Sequence, residues 1–311
     1  MTAKATLQPI PLEQLPDLPP LRLAVVGHVE VVSFVLVEQL PRAGVVQTAR
    51  RCLELPGGAG AVAAVQLARL SGGRVRFFTA LGRDAVGEAA AATLSALGLE
   101  LQVAWRQAPT RRGISLCDGS GERSIVVIGE RLGPRADDPL PWQELAHCDG
   151  VFASAADPRA VRLARAARVL TATPRLRLPV LQEAGVALDA LIGSGLDPAE
   201  QVPADALQPP PALRIATAGA AGGQAEPLGA FAAPVRQRPV IDSYGAGDSF
   251  AAGVTAGLAA GWSAEQAISL GCHCGSACLD GLGPYASQLC WQGGAWRQAG
   301  IGTTSPSRRA K

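Results

Sequence analysis

Short apolar runs of β type alternate with alanine-rich helical segments through most of this 311-residue chain, and that alternation restricts it to a layered α/β architecture. The predicted core strands are residues 23–27, 75–80, 150–153, 168–172, 190–193 and 213–217. Residues 59–70 and 84–97 are predicted helices. In the second, Val86, Ala90, Leu94 and Leu97 line one face before Gly98 stops it. Two stretches, 29–55 and 101–128, are rich in β-branched residues with no helix between them, a pattern that paired antiparallel strands would satisfy. Aromatic residues make up only 4% of the chain, so close contact between alanine- and glycine-rich helices and the sheet must supply the packing.

Charge and cysteine usage remove several function classes. A formal net charge of +2 without a basic block gives no electrostatic support for a nucleic-acid or anionic-membrane partner. No apolar run reaches the ~18 residues of a membrane span. The first twenty residues carry five prolines and two acidic side chains, unlike a secretory signal. Residues 1–20 are expected to be a mostly disordered leader, and 301–311 a flexible basic tail. Seven scattered cysteines suit a reducing cytoplasm. Cys272, His273, Cys274 and Cys278 fall in a helical pattern over 263–279, where neighbouring positions diverge, so they are expected to be buried small hydrophobes rather than metal ligands.

The segment Asp242-Ser243-Tyr244-Gly245-Ala246-Gly247-Asp248-Ser249-Phe250 carries the chemistry. It follows an extended apolar approach and leads into a small-residue helix over 247–260. Amides converging on a glycine turn at a helix N-terminus suit an anion such as phosphate. A carboxylate beside such a pocket is costly unless it handles a proton or a metal, so Asp248 fits a base that deprotonates an attacking hydroxyl. The alternative is an aspartate that merely caps the helix. No G-x-x-x-x-G-K-[ST] sequence occurs, which excludes a P-loop enzyme.

This segment resembles the second signature of the ribokinase-like, or PfkB, family of carbohydrate kinases, D-T-x-G-A-G-D-x-F, with Ser243 in place of Thr. Further motifs resemble that family in order: Pro41-Arg42-Ala43-Gly44, Gly57-Gly58, Gly82-Arg83-Asp84-Ala85-Val86-Gly87, Gly121-Glu122-Arg123-Ser124 and Thr217-Ala218-Gly219-Ala220-Ala221-Gly222. The resemblance covers about residues 21–290. It implies a three-layer α/β/α sandwich with a mostly parallel central sheet. One kinase domain would span 21–300, with a small β-sheet lid from 29–55 and 101–128 that excludes water from the sugar site. Lid strands in the family sometimes pair between subunits, which raises the expectation of a homodimer.

The implied activity is transfer of the γ-phosphate of ATP, with Mg²⁺, to a hydroxyl of a small sugar-like molecule. Asp248 would be the base, and the amides of Gly245, Ala246 and Gly247 the anion hole. Thr217, Gly219, Gly222 and Ser194 would border the nucleotide. Asp197 would hold Mg²⁺ through water, or simply start the helix after it. Asp242 and the stretch Gly283-Pro284-Tyr285-Ala286-Ser287 resemble the family's monovalent-cation site, implying K⁺; alternatively Asp242 satisfies turn amides. Gly57, Gly58, Glu30 and His28 are the expected substrate contacts. Val32 and Val62 stand where the family has a sugar-binding aspartate and asparagine. These losses point to a less hydroxylated, nucleoside-like or partly apolar acceptor, or else to a non-catalytic nucleotide- or metabolite-binding regulatory relative of the fold.

Overall fold

The structure is a computed structural model that describes residues 5–119 and 123–299. In chain order these form β1 (Leu23–Val26), β2 (Glu30–Leu36), β3 (Arg51–Gly57), α1 (Ala59–Ser71), β4 (Val75–Gly82), α2 (Ala85–Ala96), β5 (Leu99–Arg106), β6 (Arg112–Cys117), β7 (Arg123–Ile128), β8 (Gly150–Ala153), α3 (Pro158–Ala164), β9 (Val169–Ala172), α4 (Leu178–Ala184), β10 (Ala190–Ser194), β11 (Arg214–Thr217), β12 (Gly223–Glu226), β13 (Gly229–Phe231), α5 (Ala246–Ala259), α6 (Ala264–Cys278), β14 (Leu289–Gln292) and β15 (Ala295–Gln298).

Nine strands make one sheet in the order β13-β12-β11-β10-β9-β8-β1-β4-β5. All neighbours from β11 to β5 are parallel, and only the β11–β12 and β12–β13 pairings at one edge are antiparallel. Because strand side chains alternate between faces, each strand feeds two cores. Leu23 and Val25 of β1 join the cluster that includes residues of α1, α5 and α6, whereas Ala24 and Val26 face the cluster with α3 and α4. That is the α/β/α sandwich the chain's alternation predicts. The scarcity of aromatics finds its reason between α5 and α6. A Cβ on Gly253 would lie 2.8 Å from the Gly271 Cα, and one on Gly257 would lie 2.7 Å from the Ala267 Cα. Only small residues allow that approach.

The chain leaves β1 in one direction, through β4 to β5, and later runs the other way from β8 through β9 and β10 to β11. The sheet therefore changes direction between β1 and β8, where open α/β sheets leave a crevice at the carboxyl ends of their strands. His28 follows β1 and Ser154 follows β8 at that point.

Three expectations need correction. The lid is a separate four-stranded sheet, β3-β2-β6-β7, but β5 is not part of it. Instead β5 pairs in parallel with β4 along its whole length, because the helix α2 between them makes an ordinary crossover. Within the lid, β2 and β6 pair in parallel, while β2–β3 and β6–β7 are antiparallel. Residues 5–20 are not a loose leader: Leu7 exchanges backbone hydrogen bonds with Ala230 and Ala232, and Leu15 and Leu18 are buried. Their prolines prevent regular pairing without preventing apolar burial. The approach to Asp242 is irregular, so that residue does not end a strand. The tail 301–311 and Gly121-Glu122 lie outside the described residues. Cys272, Cys274 and Cys278 are buried free thiols, and burial pushes the Cys272 and Cys278 thiols up to about 12.

Candidate active site

The loop before α5 turns into the helix at Gly245, whose φ of 81° is left-handed. A side chain there would also strike Val62 and Pro284, since its Cβ would lie 2.9 Å from Val62 Cγ1 and 3.0 Å from Pro284 Cβ. With Gly245 as N-cap, no side chain caps the helix, and the first intrahelical bond runs from the Ser249 amide to the Gly245 carbonyl at 2.8 Å. The Ala246 amide reaches only the Ser243 carbonyl, at 3.4 Å. Among the described residues, the amides of Gly247 and Asp248 donate to no protein acceptor. Open space lies over Gly247. These are the orphan donors of a helix N-terminus, carrying its partial positive charge.

Asp248 is not the cap. Elsewhere the chain uses aspartates that way: Asp84, Asp157 and Asp197 accept from the amides of Gly87, Ala160 and Ala199 at 2.7, 2.7 and 2.9 Å. The Asp248 carboxylate accepts no hydrogen bond among the described residues and is half-buried. Burial raises its pKa, with Glu200 and Glu30 acting in the same direction and Arg175 and Arg123 against it. Burial works against the Arg175 charge, but the carboxylates of Asp248, Glu200 and Asp197 more than offset it.

The protein sequence profile of the pfkB family of carbohydrate kinases matches residues 21–195 and 211–289. The chain belongs to the pfkB family of carbohydrate kinases. It is thus an enzyme of the carbohydrate-kinase type. Solved structures with the same fold include ribokinase from Thermotoga maritima (TM-score 0.65, 19% identity, 85% of this chain and 94% of that one). Adenosine kinase from Sinorhizobium meliloti gives a TM-score of 0.67 at 19% identity over 86% and 96% of the two chains. A microbiome-derived acarbose kinase gives 0.71 at 22% identity over 87% and 96%. No curated protein matches the chain in sequence.

On the acceptor side this pfkB-family chain differs from its motif pattern in a structured way. Val32 and Val62 are fully buried. Val32 packs toward Gly57 and Gly113, and Val62 lies beneath Gly245. Both valine side chains are spent on these protein contacts. The space beside Gly57 is taken by Tyr244, a residue that sequence reasoning missed. Its hydroxyl accepts from the Gly58 amide at 2.8 Å and donates to Glu30 Oε1 at 3.0 Å. Glu30 Oε2 in turn lies 3.0 Å from Arg111 Nε. Gly58 and Glu30 are thereby joined to each other through Tyr244. Burial and the Glu30 charge hold the Tyr244 hydroxyl well above its usual range, keeping it a donor. Tyr244→Phe would strand a buried carboxylate oxygen and a buried amide, and is expected to cost about 1–3 kcal/mol in urea unfolding. An unchanged midpoint would contradict this network.

His28 is buried, and among the described residues neither its Nδ1 nor Ser154 Oγ has a hydrogen-bond partner. Arg123, on the lid strand β7, donates to Ser243 Oγ at 3.0 Å and lies over the Tyr244 ring at 5.8 Å. The lid therefore touches the loop that precedes α5.

Of the residues expected to border the nucleotide, Ser194 lines an open pocket with Gly193, Glu200, Ala216 and Gln224. Thr217, Gly219 and Gly222 stand in the adjoining turn, closed by the Ala218 amide on the Gly222 carbonyl at 2.7 Å, and do not line that pocket. The Ser194 hydroxyl accepts from the Leu196 and Asp197 amides at 3.1 and 3.2 Å.

The two expected metal residues have other work. Asp197 caps the turn at Ala199, and its second oxygen lies 3.7 Å from Arg175 Nη2, which bonds Glu200 at 2.6 Å. Arg175 is bonded to Glu200 and only approaches Asp197, so the Asp197 carboxylate keeps an oxygen that could still hold a magnesium-bound water. Asp242 accepts from the Tyr244 and Gly283 amides, both at 2.9 Å, which ties the loop before α5 to residue 283. That is the turn-satisfying role, one bond to each carboxylate oxygen. Among the described residues, no group of three or more His, Cys, Asp or Glu side chains could hold a metal.

Proposed function

We propose that this chain transfers the γ-phosphoryl group of ATP to a hydroxyl of a small sugar-like molecule, with Asp248 as the base. The observation that carries this reading is an uncommitted, half-buried carboxylate on the same first turn of α5 as the unpaired amides of Gly247 and Asp248. The acceptor oxygen would bond to the γ-phosphorus as the bond to the bridging oxygen of ADP breaks. The hydroxyl proton would pass to Asp248. A raised pKa makes that carboxylate a better proton acceptor than an ordinary aspartate. The amides, joined by Ala246 if its long bond to Ser243 yields, would stabilise charge on the transferred group. The Gly245 amide, which also donates to no protein acceptor among the described residues, would belong to the same donor set.

ADP release measured over neutral and acidic sugars, nucleosides and other alcohols tests the reading. Nucleotide binding without turnover of any acceptor would favour a non-catalytic relative instead. A regulatory binder, however, has no use for a desolvated carboxylate at Asp248.

The lid supports a homodimer. Its edge strand β7 is exposed throughout, with Ile125, Val126, Val127 and Ile128 each 40–55% exposed. A run of apolar residues on an unpaired edge is a template for another strand, and a second copy would cover it. Light scattering is expected to give a dimer that Val126→Lys dissociates; a monomeric wild-type chain would contradict it. Among the described residues, no helix is long and apolar enough to cross a membrane, and the free thiols fit the reducing cytoplasm proposed for this enzyme.

A further inference from the structure

We propose that the phosphoryl acceptor carries an acidic group, a carboxylate or a phosphate ester, and that Arg131 and Arg111 hold it beside His28 under the lid. This rests on the reading of Asp248 as the phosphotransfer base.

The partners of the arginines make the case. Several half-buried arginines in this protein have a carboxylate of their own: Arg106 has Asp138 at 2.6 Å, Arg165 has Asp189 at 2.7 Å, and Arg236 has Asp280 at 2.7 Å. Arg131 has none among the described residues. It donates through Nη1 to the Arg175 carbonyl at 2.7 Å, and its buried Nε has no partner. Arg111 is 16% exposed and meets Glu30 through Nε only. Its two terminal nitrogens form no hydrogen bond among the described residues. Glu30 is shared with Tyr244, so it is already committed.

The charges also crowd one another. Burial lowers the Arg131 pKa, and Arg111, Arg177 and Arg175 lower it further, with Glu30 alone opposing them. Burial together with Arg131, Arg111 and Arg175 holds His28 neutral. A guanidinium set in this way, desolvated and near like charge, is unfavourable until an anion arrives. Guanidinium forks match the planar oxygens of carboxylates and phosphates, so the class of anion follows from the donors. The second observation is independent of charge. His28 Nδ1 and Ser154 Oγ are buried and unpartnered at the ends of β1 and β8, where the sheet leaves its crevice. Buried polar groups without a protein partner leave donors and acceptors there for a water, an ion or a ligand.

The nucleotide is the competing source of the anion. Arg175, bonded to Glu200 beside the Ser194 pocket, stands on that side. Arg111 faces Glu30 on the lid strand β2, and neither Arg111 nor Arg131 lines that pocket. The acidic group is therefore assigned to the acceptor.

Matched acceptors decide the matter: glucose against gluconate, and fructose against fructose 6-phosphate. Each is measured by ADP release and, separately, by calorimetric binding to the nucleotide-free protein. One acidic probe is expected to exceed its neutral partner by about 10²-fold or more in kcat/KM or in affinity. Whether gluconate or fructose 6-phosphate responds distinguishes carboxylate from phosphate. Arg131→Met is expected to abolish that preference while the KM for ATP moves by less than about threefold; circular dichroism checks its fold, and Arg131→Lys is expected to recover part of the preference. Neutral sugars matching or exceeding both acids, or no acid binding at all, would overturn the inference and leave the kinase reading standing. An Arg131→Met defect confined to ATP would also overturn it by moving the arginine to the nucleotide. Acid binding that depends on Arg131, without ADP release, would leave an anion site at Arg131 but overturn both its assignment to an acceptor and the phosphotransfer role of Asp248.

Discussion

Asp248→Asn is expected to lower kcat by about 10²–10⁴-fold while leaving nucleotide affinity nearly unchanged. The substitution keeps the shape of the side chain and removes only its ability to take a proton. The same change is expected to make the protein more stable at neutral pH. Burial raises the folded-state pKa of Asp248 above the ordinary carboxylate value. Between those two values the unfolded chain has released its proton and the folded chain has not. The folded state then binds more protons, so stability falls as pH rises through that window. Asparagine carries no such penalty. Its gain in Tm should be present at pH 7 and vanish below the ordinary carboxylate range. The acid limb of the wild-type kcat/KM profile should lie above that range as well. A variant that loses activity together with Tm at neutral pH would point to a structural aspartate instead.

Gly245→Ala is expected to be nearly as damaging for a different reason. A left-handed φ of 81° costs an alanine about 1–2 kcal/mol, and overpacking against Val62 and Pro284 adds about 1–3 kcal/mol. The first turn of α5 must move to relieve the contact, and a shift of about 1 Å in a catalytic constellation can cost about 10²-fold. The expected result is a kcat loss of at least that size with a stability loss of about 2–5 kcal/mol. Gly261 supplies the control. Its φ is 79°, but nothing lies within 4 Å of the place an alanine methyl would take, so Gly261→Ala should show the backbone strain alone and retain full activity. Equal behaviour of the two variants would mean that the packing around Gly245 is not what aims the α5 amides.

Local pattern made part of this molecule legible. The core strands and the helices α1, α2, α5 and α6 fall within a residue or two of their sequence-based bounds, because each carries enough periodic apolar positions to declare itself. The seven-residue helices α3 and α4 do not, being too short to show a face. Strand β5 was readable as a strand but not as belonging to the main sheet. Its half-buried pattern fits an edge of either sheet, and only its pairing with β4 decides between them. The buried leader could not be anticipated, since Leu15 and Leu18 lie among prolines with no period at all.

The candidate site divides in the same way. The turn at Gly245 and the carboxylate at Asp248 lie in one short segment and announce themselves together. Tyr244 was visible there too, but its bond to Glu30 joins residues 214 positions apart. Arg111, Arg131 and Arg175 come from the lid, the loop after β7 and the turn after β9. Tertiary folding alone brings their charges onto His28. A hint existed in Pro174-Arg175-Leu176-Arg177, two arginines at the end of a predicted core strand, where α/β sheets place their ligands.

The most direct measurement is a crystal structure of the protein with ADP, aluminium fluoride and an accepted substrate. The fluoride should lie about 2.7–3.1 Å from the Gly247 and Asp248 amides, with the acceptor hydroxyl between the metal fluoride and the Asp248 carboxylate. Aluminium fluoride held elsewhere, with those amides bonded to protein or Asp248 turned from the acceptor, would contradict the account.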